Sequence, residues 1–440
     1  MKPYSQKWNA GLLSILAICI SLTLPLPAQT SRLDVNDVSF LWPVPVSVTD
    51  ANDLLSLADA AADGPIMSPT VLNALIETAR NVPGISFPAG DFNDPKKWKV
   101  AGIRINPTAL GSHPEMLARA EVPGIRLIVQ PITVSGGKIK LHDITAHVVF
   151  NYVVESAPPV KPDREAFGRI VQDLVQLKAD LNLLSSPTTA LLNVHPGFPP
   201  DPTLLTGKLK DFLKKHLSST HLDRKQNGAI SFMGIPGSFE PWIFFKVLVD
   251  TTAGTVAQVP VSGRFTPEKP LSQEISFFPD TNGKVSPAPL PPKTLSDTST
   301  AILFPTLSSS QLLDPLIAGT TDPKLARFQM RDIADLAAHP QLTTTITTDC
   351  VSCHTESTRR HLTPSLISQS GTAFPLPAGI SGVASEMLPK DRWNLRNFGW
   401  GFNFTGALGA PRGFHPTISQ RAANEAAESA DFINKNYLTP

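Results

Sequence analysis

Ile144-Thr-Ala-His-Val-Val-Phe-Asn-Tyr-Val-Val154 mixes β-branched and aromatic residues with polar ones in near alternation. That is the pattern of a strand with two unlike faces. Two upstream stretches read the same way, Trp98-Lys-Val-Ala-Gly-Ile-Arg-Ile105 and Ile125-Arg-Leu-Ile-Val-Gln130. Gly136-Gly137 lies between the latter stretch and the first, and supplies the positive φ angles a tight turn needs, so an antiparallel hairpin is expected here. Helices flank these strands. Asp53–Ala62 and Pro69–Ala79 have helical patterns, the second with Ser68 as its cap and Pro69 in its first position. Residues 34–155 therefore read as one α+β module.

A proline-rich stretch, Ala157–Pro162, is a candidate linker into a second α+β module over 163–285. Phe167, Ile170, Val171, Leu174, Leu177 and Leu181 fall at helical spacing, and Leu204–Leu217 gives another helix with a basic end. Ala229–Met233, Trp242–Val249 and Val256–Arg264 continue as strands. Residues 286–300 are again proline-rich and read as an exposed linker. The 43 prolines among 440 residues exclude a mainly helical bundle. Lys and Arg total 38 against 37 Asp and Glu, a balance that argues against nucleic-acid binding and polybasic membrane attachment.

The chain opens like an export signal. Lys2 and Lys7 precede the apolar run Ala10–Leu24, and Pro25-Leu-Pro-Ala28 offers a small residue for cleavage. Residues 1–28 are read as a signal peptide removed after Ala28, which implies a periplasmic or otherwise exported protein. An uncleaved anchor is the alternative. No later stretch is long and apolar enough to span a bilayer, so no transmembrane segment is expected after cleavage.

Of three cysteines, Cys19 leaves with the signal, and Cys350 and Cys353 remain. They stand in Cys350-Val-Ser-Cys353-His354, the attachment signature of c-type haem. Two thiols at this spacing each add to one porphyrin vinyl group, and the adjacent imidazole serves as proximal iron ligand. Covalent capture suits an exported chain. A thioredoxin-like redox pair would instead want a strand before the thiols and a helix start after them. A zinc site would want two further ligands, and no second cysteine pair exists. Elsewhere no phosphate loop, Gly-x-Ser-x-Gly or His-Glu-x-x-His occurs. His142 and His147 face opposite sides of a regular strand and so do not form a metal pair. Asp143 and Glu155 are single carboxylates with no partner visible in the sequence.

On Cys350, Cys353 and His354, residues 301–440 resemble a mono-haem c-type cytochrome domain. The resemblance implies one covalent haem c in a mainly α domain. Ser419–Tyr437, with Ala422, Ala426, Ala430 and Ile433 in one stripe, is similar to the helix that closes such domains. For the distal side of the iron the candidate is Met387, in Ser385-Glu-Met-Leu-Pro389. His339, His361, His415 or an open position are the alternatives. Arg359, Arg360, Arg392 and Arg396 are candidate partners of the haem propionates. The aromatic run Trp393–Phe404 reads either as a haem-pocket wall or as an ordinary aromatic core. Small cytochromes place a helix directly before the haem motif; here the helical pattern Pro323–Ala338 ends at His339-Pro340, and a Thr-rich stretch intervenes. Leu395-Arg396-Asn397 is similar to bacterial dihaem peroxidases, whose second haem motif this chain lacks.

The fold expected is thus α+β modules with antiparallel strands followed by a mainly α haem domain. The function expected is electron transfer with a redox partner that the sequence does not identify. A peroxidase or ligand sensor with an open sixth position, and an envelope binding or scaffold protein with an ancillary haem domain, are the alternatives.

Overall fold

The computed structural model describes residues 32–82, 87, 92–108, 122–155, 160–181, 191–198, 202–234, 242–261, 271–275, 337–340, 350–362, 382–384, 386–389, 394–403 and 413–438. The expected signal peptide, the linker over 286–300, Arg392, and most of the helical pattern Pro323–Ala338 lie outside the described residues, as do the side chains of Arg359, Arg360 and His361.

A nine-stranded antiparallel sheet organises the molecule. Its strands are β1 (Ser39–Leu41), β2 (Trp98–Asn106), β3 (Gly124–Ser135), β4 (Lys138–Leu141), β5 (Ile144–Asn151), β6 (Ala229–Gly234), β7 (Trp242–Asp250), β8 (Thr255–Val259) and β9 (Ser272–Ile275). Their order is β1-β2-β3-β5-β6-β7-β8, with β4 beside β3 and β9 beside β7. Gly136 and Gly137, at φ 56° and 74°, make the turn from β3 to β4. The return strand then breaks at His142-Asp143 before β5 resumes pairing with β3. Strands from both sides of the 157–162 stretch join this one sheet, so the two modules read from the sequence share a common core.

The helices are α1 (Pro69–Asn81), α2 (Arg164–Asp180), α3 (Pro202–His216), α4 (Cys350–Leu362) and α5 (Gln420–Asn436). The Ser68 hydroxyl accepts from the Val71 amide at 3.3 Å, with Pro69 in the first turn, as the sequence indicates. The helix expected over Asp53–Ala62 lies elsewhere: it runs Val48–Asp53, closed by a capping box between Ser47 and Asp50. A capped hexapeptide upstream outweighed the Ala-rich run, whose Ala60-Ala61 pairs instead with Gly64-Pro65.

Cross-strand register gives the sheet two different faces. Ile103, Ile125, Leu127, Val148, Ile230, Phe245 and Val247 point to one side and belong to the main hydrophobic core with α1, α2 and α3. The other side carries Arg104 opposite Arg126, and His147 opposite Ile128 and Ser231, with Ser231 in turn opposite Lys246. A half-polar face of this kind is stable only if something polar covers it.

The C-terminal residues are that cover. Their described residues hold two helices and a hairpin, so the expected mainly α haem domain is not confirmed. Alongside α4 and α5 stands a hairpin of β10 (Phe398–Asn403), which lies in the aromatic run Trp393–Phe404, and β11 (Gly413–Ile418). Trp400 is fully buried, its indole N–H donating to the Trp42 carbonyl at 3.0 Å. Gln130 on β3 accepts from the Trp400 amide at 2.7 Å and donates to its carbonyl at 2.9 Å, a side chain standing in for a neighbouring strand. Gly102 permits the approach, since a Cβ there would sit 2.5 Å from the Phe398 ring. Helix α5, capped by Ser419, buries Ala422, Ala426, Ala430 and Ile433 as its spacing implies. Among the described residues no helix is long and apolar enough to cross a membrane.

Candidate functional site

Helix α4 begins at Cys350, so the two thiols and His354 occupy its first turns, three and four residues apart on one face. The Gln273 side chain on β9 accepts from the amides of Cys350 and Val351 at 3.0 and 3.4 Å, satisfying two donors of the helix start. The residues before the motif, 341–349, lie outside the described residues.

Residues 394–397 run alongside that helix and hold its inner face. The Asn394 carbonyl accepts from Thr358 Oγ1 at 3.0 Å, and Asn397 Nδ2 donates to Cys353 Sγ at 3.2 Å. His354 Nδ1 lies 2.7 Å from the Leu395 carbonyl. A carbonyl only accepts, so Nδ1 carries the proton and Nε2 keeps its lone pair. Burial pushes His354 down to about 4, with the Leu395 bond opposing and the Arg396 and Arg126 charges assisting. The ring is thus a neutral imidazole of fixed tautomer, the state a metal requires of it. Desolvation also raises the Cys353 thiol to about 11.

Below α4 lies the polar face of the sheet. Met233, Trp242, Phe244, Val351 and Leu395 form a small apolar cluster against which Cys350 packs. The Phe244 ring is 5.1 Å from that of His354, and the His147 ring is 6.1 Å away, centroid to centroid. Arg126, His147, Ser231, Lys246, Cys350, Cys353 and His354 are all half-buried. Burial is nevertheless the dominant influence on Arg126, His147, Lys246, Cys353 and His354. Helix α4 packs over β7 and β9, and the polar groups that keep accessible surface between helix and sheet outline what we call the recess.

Two cations flank that recess. Among the described residues neither the Arg126 nor the Lys246 side chain makes a hydrogen bond or an ion pair, and the Arg126 Nε atom is fully buried. Burial lowers Arg126 to about 10 and lowers Lys246 as well. They stand on β3 and β7, on either side of β5 and β6 and two residues out of register, about 16 Å apart by strand geometry. Unpaired buried cations are costly, and two carboxylates entering the recess would neutralise them.

The neighbouring charges have partners within the protein, although Arg104 Nε, Asp143 Oδ2 and Arg396 Nε and Nη1 are buried without a hydrogen bond among the described residues. Glu425 on α5 takes Arg104 at 2.7 Å and Arg421 at 2.6 Å, all three side chains at most 4 % exposed. Burial alone would raise Glu425; Arg421, Arg104 and Arg126 hold it down to about 2. Arg396 pairs with Asp143, the carboxylate that had no visible partner in the sequence. Burial raises Asp143 to about 6 against the pull of Arg396. Arg396, expected at the propionates, is thus engaged elsewhere, and its guanidinium lies 5.7 Å over the Trp242 ring.

Several sequence expectations change here. Cys350, Cys353 and His354 do share one helix face. Met387, expected opposite His354, packs against the main hydrophobic core, in a turn held by the Ala384 carbonyl and the Ile418 amide. His415 sits on β11 opposite Gly401, and His339 is buried. His142 bonds Thr133 at 2.8 Å, away from His147. Sequence reading missed His147, Arg126 and Lys246; the only signal available was that each interrupts an apolar strand. Among the described residues no three His, Cys, Asp or Glu side chains are gathered closely enough to hold a metal by themselves. Comparison with protein-family models, with curated proteins and with solved structures finds no match to this chain.

Proposed function

We propose that the recess between α4 and the sheet holds one haem c, bound through thioethers to Cys350 and Cys353, with His354 as an iron ligand, and that the protein transfers electrons. The observation that carries this reading is the His354 imidazole, held neutral with Nδ1–H on the Leu395 carbonyl and Nε2 unprotonated, on the same helix face as both thiols. Arg126 and Lys246 supply two cations for the two propionates. Bound haem supplies a one-electron couple whose potential the protein sets through ligands, burial and hydrogen bonds. The apolar cluster around Trp242 and Phe244 would exclude water from one side, and the 394–397 segment would fix the orientation of His354. The leading 28 residues support export, and the redox partner would be a protein of the same compartment.

A pyridine haemochrome spectrum and a haem-stained denaturing gel test this on protein made in a host able to attach haem c. One covalent haem per chain is expected. Cys350→Ala or Cys353→Ala should leave a single thioether and shift the haemochrome band, and the double variant should lose covalent haem. A colourless wild-type chain would sink the proposal. A thiol–disulfide exchange protein is the second reading, favoured by the capped helix start at Cys350. The raised Cys353 thiol weighs against it, because exchange requires a thiolate.

A further inference from the structure

We infer that His147, on the central strand β5, is the second axial ligand of the iron, bound on the face opposite His354. This rests on the haem reading above and specifies its sixth position. The ring centroids of His147 and His354 are 6.1 Å apart. Two imidazoles on opposite sides of one metal, each with a bond of about 2.0–2.1 Å, place their ring centres about 6 Å apart. The observed separation matches a shared ion between them and leaves no room for a further ligand.

The hydrogen bonding points the same way. Buried imidazoles nearly always find partners for their nitrogens. The His147 ring makes no hydrogen bond among the described residues, and the His354 ring uses only Nδ1. That leaves Nε2 of His354 and both ring nitrogens of His147 unengaged, one ring on the helix and one on the sheet, so each ring has a nitrogen to offer an ion between them. The neighbours of His147 on the same face are Ile128 and Ser231, and Ser231 is in turn opposite Lys246. No carboxylate stands in that cross-strand row to hold a protonated histidine. Met387 is partly buried and packs against the main core.

Two bound imidazoles saturate the iron. The haem would then relay electrons without binding peroxide or a gaseous ligand, which decides between the electron-transfer and the peroxidase or sensor alternatives.

The test is spectroscopic. Ferric wild-type protein should show the electron paramagnetic resonance of a low-spin, bis-imidazole haem and a near-infrared charge-transfer band of the same type. His147→Ala should keep its covalent haem by staining but convert to high spin, and added imidazole should restore the low-spin signal. Met387→Ala should leave the spectrum unchanged. Should His147→Ala fail to fold, the wild-type near-infrared band decides alone. A methionine-type band, a high-spin wild type, or an unchanged low-spin His147→Ala variant would overturn the assignment while leaving covalent haem intact. A colourless wild type would overturn the haem reading itself, and this assignment with it.

Discussion

Glu425 shows how much of this molecule rests on single buried charges. Its carboxylate neutralises Arg104 from the sheet and Arg421 from its own helix, with both guanidinium groups excluded from water. Removing one member of a buried ion network leaves the others uncompensated, which typically costs about 3–5 kcal/mol. Glu425→Gln keeps the shape and removes the charge, and should lower the unfolding free energy in urea by that order. A loss below about 1 kcal/mol would mean that the network is solvated and contributes little. Arg126, third among the cations near Glu425, feels that charge but makes no direct ion pair with it among the described residues.

At the level of elements, the C-terminal hairpin is held to the sheet by groups that no strand pattern announces. Gln130 bonds both the amide and the carbonyl of Trp400, so one side chain replaces a pair of ladder hydrogen bonds. Gln130→Ala would leave two buried backbone groups unsatisfied, at a cost on the order of 3 kcal/mol. The expected result is a lower urea midpoint together with faster hydrogen exchange at the Trp400 amide. Unchanged exchange there would show that β10 docks through the Phe398 and Trp400 rings alone. Helix propensity placed α2, α3 and α5 within a few residues of their true ends, because each carries an amphipathic stripe of several turns. The Asp53–Ala62 expectation went astray because composition said helix while the cap lay six residues upstream at Ser47. Caps set helix starts more sharply than alanine content does.

For the whole molecule, the buried histidines set the response to acid. Burial lowers His142 to about 4 and His195 to about 3, and lowers His216 and His221 as well. As pH falls below about 6.5, the unfolded chain takes up protons that these folded sites refuse, so stability is lost. Asp37 and Asp143, raised by burial to about 6, act in the opposite sense over the range between 3.8 and 6. The histidines outnumber them. Glu425 then adds a further loss between 4.5 and about 2, because its folded form holds the charged state. The urea midpoint should therefore fall steadily from pH 7 to pH 4 and continue falling below it. A midpoint higher at pH 4.5 than at pH 7 would show that the aspartates dominate.

The sequence by itself determined six of the nine strands of the sheet, the long helices and the spacing of Cys350, Cys353 and His354, because alternation, helical spacing and motif spacing are local properties of the chain. Only the tertiary structure decided what that motif faces. The sheet crosses the proline-rich stretch at 157–162, since antiparallel pairing depends on which edges meet and leaves no mark in either partner alone. Asp143 and Arg396, His147 and His354, and Arg104 and Glu425 are each separated by more than 200 positions in the chain. A polar residue inside an apolar strand reads as an interruption until the opposing element is known. Once α4 is laid over the sheet, the same interruptions at Arg126, His147 and Lys246 become the floor and flanks of one recess, because burying such groups is tolerated only where a ligand or a counter-charge completes them.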